Sequence, residues 1–237
     1  MSGNDYNFGV SGNTISDFMN DIDTSNKVNE KPIYYWINEQ NKQVPSDAGF
    51  VGVINSKNIV VKDITLTNNY EGILFAFASD SRIENVVILN NNVGVYLLNS
   101  DNNTIKDSII KENDRGVVIE HNAGIVLDQR NMLINNDIVG NKWGYGIYAN
   151  NCIITNNTIS HNSYGGIGLG SDNIVSNNEV LDNGNYGIGG DEGSKDNAIS
   201  SNLIQSNEYG IYFYSSVEYI ENITVTNNII SNNDWDG

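Results

Sequence analysis

The chain has 237 residues, with 29 acidic against 12 basic side chains, a net charge of −17 and a pI near 4.2. That length gives ample core for one large domain, and the charge excludes nucleic acid as a partner, because phosphate binding rests on Lys and Arg. No apolar run approaches the roughly 18 residues of a membrane span, and Cys152, alone of its type, excludes an intrachain disulfide.

In chain order, residues 1–5 carry neither the basic flank nor the apolar stretch of a signal peptide. Residues 9–26, with Asn13-Thr14-Ile15-Ser16-Asp17-Phe18, predict one degenerate coil of the repeat that follows. Residues 27–47 hold both prolines and Trp36, and predict an excursion that caps the N-terminal end. Such an end is an unpaired sheet edge and needs cover. Residues 1–49 are thus a degenerate coil and cap, and 50–237 one continuous repeat domain.

The composition already points away from helices. Asparagine supplies 43 residues of the 237, and it is weak in helix interiors and strong at turns. From residue 50 onward an apolar residue, another five positions later and an asparagine three further recur eight times. The first column runs Val61, Ile83, Ile105 and on to Val225; the second runs Leu66, Ile88, Ile110 and on to Ile230. The third is Asn69, Asn91, Asn113, Asn141, Asn162, Asn183, Asn207 and Asn233. The spacing, mostly near 22 residues, is that of one coil of a β-solenoid.

Two apolar columns an odd number apart cannot share one face of a straight strand, so the chain bends between them. Asn136, Asn157, Asn178, Asn202 and Asn228 mark that bend. Glycine follows the third column three residues later (Gly72, Gly94, Gly116, Gly144, Gly165, Gly210), as suits a corner with positive φ. A third short strand comes next, as in Gly94-Val95-Tyr96-Leu97. The prediction is an all-β, right-handed, single-stranded parallel β-helix of about eight coils. Inward amides would stack from coil to coil at roughly 4.8 Å. Residues 232–237 follow a complete coil without a cap, which predicts a fragment of a longer surface protein.

The N-x-I-x-x-N-x-I repeats, with Lys31-Pro32-Ile33-Tyr34-Tyr35-Trp36 and Asp47-Ala48-Gly49-Phe50-Val51-Gly52, resemble the NosD-type β-helix proteins of archaeal cell surfaces. The likeness covers nearly the whole chain. It implies a carbohydrate-binding or sugar-hydrolase type solenoid, exported and embedded in large envelope proteins. The family name comes from a factor associated with copper delivery. Soft-ligand copper sites need clustered ligands, and Cys152, His121, His161, Met19 and Met132 are scattered.

Two catalytic patterns of β-helix enzymes are missing: neither Pro32 nor Pro45 lies in Asp-Pro-His, and no two aspartates are adjacent. Residues 115–130 enlarge one coil and gather Arg115, Glu120, His121, Asp128 and Arg130. Insertions in solenoids become loops on one face, often the binding face. Asp101, in the preceding coil, is expected one strand spacing from Glu120, within the roughly 5–9.5 Å that separates glycosidase carboxylates. Glu120 is the candidate general acid, Asp101 or Asp128 the base or nucleophile, and Arg115, Arg130 and His121 the holders of an acidic sugar. The bland alternative is a solvated loop on an acidic protein. Asp191 and Glu192, three coils on and roughly 14 Å away, are no partners for Glu120.

Tyr96, Tyr148 and Tyr212 share a position two residues after a corner glycine, facing out, and form a candidate sugar-stacking face. Tyrosine also suits strand surfaces for their own sake. No metal site or cofactor is read. Gly187-Ile188-Gly189-Gly190-Asp191 lacks a repeat period, which leaves only diffuse calcium binding to the acidic surface. The sequence thus predicts an extracellular or cell-envelope module that recognises polysaccharide or other envelope components. The alternatives are a structural or adhesive spacer, and a hydrolase or lyase with a carboxylate pair.

Overall fold

In the computed structural model, described for residues 1–122, 130–217 and 219–234, the chain winds through three β-sheets, one strand of each per coil. The long face has nine parallel strands among the described residues. They are Lys31–Ile37, Phe50–Ile54, Glu71–Ala76, Val93–Leu98, Arg115–Glu120, Tyr145–Ala149, Gly165–Leu169, Tyr186–Gly190 and Tyr209–Phe213. Lys27–Val28 adds an antiparallel edge. A second face runs from Gln40–Gln43 to Thr224–Thr226, and a third, eight-stranded face from Thr65–Thr67 to Ile229–Ser231. Those eight strands are the eight coils that the repeat predicts. Inside, one ladder runs Val51, Ile73, Val95, Val117, Ile147, Ile167 and Ile188, all fully buried.

Asparagine doublets make the corners. The first residue adopts the left-handed backbone (φ 56° at Asn135, 57° at Asn156, 56° at Asn177), which asparagine tolerates because its short amide can bond locally. The second residue, Asn136, Asn157 or Asn178, then points inward and is buried. Its Nδ2 donates to the Oδ1 of the next coil's asparagine, at 2.9 Å from Asn136 and 3.0 Å from Asn157. The same Oδ1 also accepts the backbone N–H of the donor residue. The column from Asn91 to Asn233 is built alike. Each bond contributes about 1 kcal/mol net, whereas one orphaned buried amide costs about 1–3.

A third column, not visible in the repeat, occupies the corner between the long and second faces: Asn103, Asn131, Cys152, Asn173 and Asn197. Cys152 interrupts it. Its N–H still donates to Asn173 Oδ1 at 3.0 Å, but its thiol offers no amide, and burial pushes the thiol pKa up.

The corner glycines are there for a different reason from the predicted one. None of Gly72, Gly94 and Gly116 has positive φ. A Cβ on them would lie 2.6, 2.6 and 2.2 Å from the carbonyl oxygen of the glycine one coil on. Close stacking of coils therefore demands glycine. The same criterion replaces Gly144 and Gly165 in this column by Gly146 and Gly166.

Neither N-terminal stretch takes its predicted role. Lys31–Ile37 and Gln40–Gln43 are strands of the first coil, and Tyr34 and Trp36 pack against the interior core there. Residues 9–26 form no coil: they hold one 3₁₀ turn, Ile15–Phe18, and pack on the outside of the long face. The cause is apolar surface. Phe50, Leu74 and Leu98 point outward, and a second core cluster buries them with Phe18 and Ile33. Phe8 meets Phe50 edge-on at 4.8 Å.

Candidate functional site

The outward residues of the long face fall into columns. One reads Glu71, Val93, Arg115, Tyr145, Gly165, Tyr186 and Tyr209; the next reads Leu74, Tyr96, Val118, Tyr148, Gly168, Gly189 and Tyr212. The N-terminal segment crosses the first coils as a strap. It is held by Asn7 N–H to Asn68 O and Tyr70 N–H to Phe8 O, both 2.7 Å, and by the Tyr6 hydroxyl donating to Asp114.

Beside residues 11–13 of the strap lies a cavity of about 410 Å³ lined by Tyr70, Glu71, Tyr96, Arg115 and Glu120. A second, of about 360 Å³, is lined by Arg115, Glu120, Trp143, Tyr145, Tyr148 and Tyr164. Arg115 and Glu120 line both, which joins them into one groove. Trp143, 78% exposed, stands in its wall.

The ionisable groups differ in character. The Tyr96 hydroxyl donates to Glu120 Oε1 at 2.6 Å; burial and that carboxylate hold its pKa well above the usual phenol range, so it stays a neutral donor. Glu71 is 1% exposed, and burial raises its pKa to about 7. The Val10 N–H, 3.3 Å from Glu71 Oε2, and the Arg115 charge pull it down without cancelling that effect. Arg115 Nη2 donates to Asn92 Oδ1 at 3.4 Å. The groove therefore combines a carboxyl that is protonated below pH 7, a hydrogen-bonded glutamate, a guanidinium and exposed aromatic faces.

Of the residues singled out in the sequence, Arg115, Glu120, Tyr96 and Tyr148 meet in this groove. Tyr212 shares the column of Tyr96 and Tyr148 but lies beyond the cavities, stacked on Tyr186 at 5.4 Å. Asp101 is not among the residues lining either cavity. It sits three residues past the strand Val93–Leu98, at the corner, where its backbone bridges to Ser79. Arg130 turns to Asp172, its Nε donating to the carbonyl at 3.1 Å. His121 directly follows the strand Arg115–Glu120, and its Nδ1 is buried without a partner among the described residues. Asp128 lies outside the described residues. Glu71, Trp143 and the strap are the parts that sequence reasoning missed. Glu71 had one available signal: it precedes a corner glycine, in the column where later coils carry Arg115 and Tyr145.

A family model described as right handed beta helix region matches residues 1–151 and 121–237. No curated protein matches the chain in sequence. Among solved structures, a periplasmic alginate epimerase, AlgG, superposes with a TM-score of 0.62 at 17% identity, covering 82% of this chain and 50% of its own. The tailspike of E. coli bacteriophage HK620, in complex with a pentasaccharide, gives 0.55 at 15% identity, covering 81% and 44%. An alginate lyase from Paenibacillus sp. str. FPU-7 gives 0.55 at 12% identity, covering 77% and 73%. The chain thus spans about half the length of the epimerase and less of the tailspike. At these identities the likeness is one of fold. No helix is long and apolar enough to cross a membrane among the described residues.

Proposed function

Since the chain belongs to the right-handed β-helix family, we propose that it is a polysaccharide-recognition module of the extracellular space or cell envelope, similar to NosD-type archaeal surface solenoids. One observation carries the reading: Trp143 and Tyr148 offer aromatic faces in the same groove as Arg115 and Glu120. Sugar rings stack on such faces by their apolar side and meet hydrogen-bonding groups at their rims. The pentasaccharide-bound tailspike and the alginate-directed epimerase and lyase support this choice of ligand class. The test is a glycan array followed by calorimetry. Tyr148→Ala is expected to weaken the bound glycan by roughly 1–2 kcal/mol without lowering the melting temperature. Unchanged affinity in Tyr96→Ala, Tyr148→Ala and Tyr212→Ala would replace recognition by the structural or adhesive spacer.

A second reading, hydrolase or lyase, is favoured by Glu71 and Glu120 in one cavity. A buried carboxyl with a raised pKa beside a second carboxyl group is what acid–base chemistry on a sugar chain uses. Loss of product release in both Glu71→Gln and Glu120→Gln, with binding retained, would establish it. Full activity in either variant would remove that residue.

A further inference from the structure

We propose that four tyrosine rings leading away from the groove form a stacking track for a neutral, unbranched oligosaccharide lying parallel to the solenoid axis, an inference that rests on the polysaccharide reading above. The rings are Tyr148, Tyr145, Tyr186 and Tyr212. Successive centroids are 6.2, 6.4 and 5.4 Å apart, and successive planes differ by 28°, 30° and 17°. Tyr148 and Tyr145 already line the second cavity, so the track continues the groove. It extends over four long-face strands, from Tyr145–Ala149 to Tyr209–Phe213, or roughly 14 Å along the axis.

The rings lie down because glycine makes room for them. A Cβ on Gly168 would be 2.7 Å from the Tyr145 ring and one on Gly165 2.9 Å from it; one on Gly189 would be 2.6 Å from the Tyr212 carbonyl oxygen and 2.9 Å from the Tyr186 ring. The interior does not ask for the glycine at 168, which alternates outward between the buried Ile167 and Leu169. Glycine within a strand weakens it through lost packing and entropy. At position 168 it serves the seating of the Tyr145 ring. Tyr164, 43% exposed and edge-on to Tyr145 at 4.9 Å, walls one side.

Charge selects a neutral ligand beyond the groove. Arg115 lines the cavity with Tyr148 and Tyr145 at the near end of the track, whereas further along the carboxylate of Asp191 adds to burial in raising the Tyr145 and Tyr186 hydroxyl pKa values. With a net charge of −17 behind it, an anionic sugar would be repelled along these coils. A neutral pyranose with an apolar face meets no such penalty.

The experiment is calorimetry of the whole chain with cello-, xylo- and chito-oligosaccharides of two to eight units. At least one series is expected to gain about two- to tenfold in affinity per added sugar from trimer to hexamer, then level off. Gly168→Ala removes no aromatic group and places a methyl on the outer surface, against the Tyr145 ring. It is expected to abolish the gain with length while the melting temperature stays as in the wild type. Tyr186→Phe is expected to keep the gain and Tyr186→Leu to lose it. A plateau at the trimer, or a gain untouched by Gly168→Ala, would overturn the track and leave recognition in the groove standing. Binding of uronate oligosaccharides alone would likewise overturn the neutral track. No binding to any glycan on an array would overturn both.

Discussion

The two halves of the long face share an interior and differ outside. From Val51 to Ile188 the inward ladder is uniformly aliphatic and buried. Outward, the first coils present Phe50, Leu74 and Leu98, which the strap covers, whereas later coils present Tyr145, Tyr148, Tyr186 and Tyr212, with the rings of Tyr145 and Tyr186 lying over glycines. A solenoid stabilises each coil through its neighbours, so the inside must repeat while the outside is free to diverge. Divergence is therefore where function resides, and the groove lies where covered surface gives way to open surface.

The strongest way to break this picture is to damage the shared interior. Asn113 accepts the Asn91 N–H at 2.9 Å and its Nδ2 at 3.0 Å, and donates to Ile88 O and Asn141 Oδ1. Asn113→Leu strands these groups together, and is expected to lower stability by about 3 kcal/mol or more in urea unfolding. A loss below about 1 kcal/mol would mean that the columns do not hold the coils together.

The next test addresses the covered half alone. Glu71 has its folded pKa raised from 4.5 to about 7 by burial, so the folded state binds the proton more tightly than the unfolded chain. The stability this confers is complete below pH 4.5 and is lost as pH rises through about 7. The shift corresponds to about 3 kcal/mol as an upper bound. Wild-type stability is expected to fall between pH 4.5 and 8, while Glu71→Gln stays flat and exceeds it at pH 8. Hydrogen exchange at Val10 should follow the same curve, because its N–H is bonded to Glu71. A wild type that is flat over that range would show the strap indifferent to this proton.

The smallest effect expected is a gain. Cys152→Asn would restore the interrupted column between Asn131 and Asn173, with about 1 kcal/mol of added stability in thermal unfolding. A loss would show that the corner has closed around the thiol.

The repeat was legible because stacking forces like residues to a fixed offset, as in the column from Asn69 to Asn233. The third column escaped because Cys152 breaks it and a serine, Ser81, stands where an asparagine would precede Asn103. The strap carries no period at all, and only its apolar residues, such as Phe8 and Phe18, hinted at burial. Within the site, Arg115, Glu120, Tyr96 and Tyr148 were legible as rare or recurring types in one face. Glu71 and Trp143 occur once each in their surroundings, and only three-dimensional proximity joins them to the groove. The corner glycines were found for the wrong reason, since a sequence shows small size without saying whether backbone handedness or a neighbouring carbonyl requires it.

The amide columns also bear on how the molecule ages. An asparagine followed by glycine is chemically fragile: the glycine nitrogen attacks the side-chain carbonyl, ammonia leaves, and hydrolysis of the ring yields aspartate or its isomer. Among 43 asparagines only Asn183 precedes a glycine. In the fold, the Gly184 N–H donates to Asn162 O at 2.9 Å, while Asn183 Nδ2 donates to Asn207 Oδ1 at 3.0 Å. Nucleophile and target are tied to opposite neighbours and cannot close the ring without opening the coil. Deamidation at Asn183, read by peptide mass mapping, thus becomes a clock for local unfolding. An aspartate formed there would lodge a negative charge inside the column and hasten the next opening.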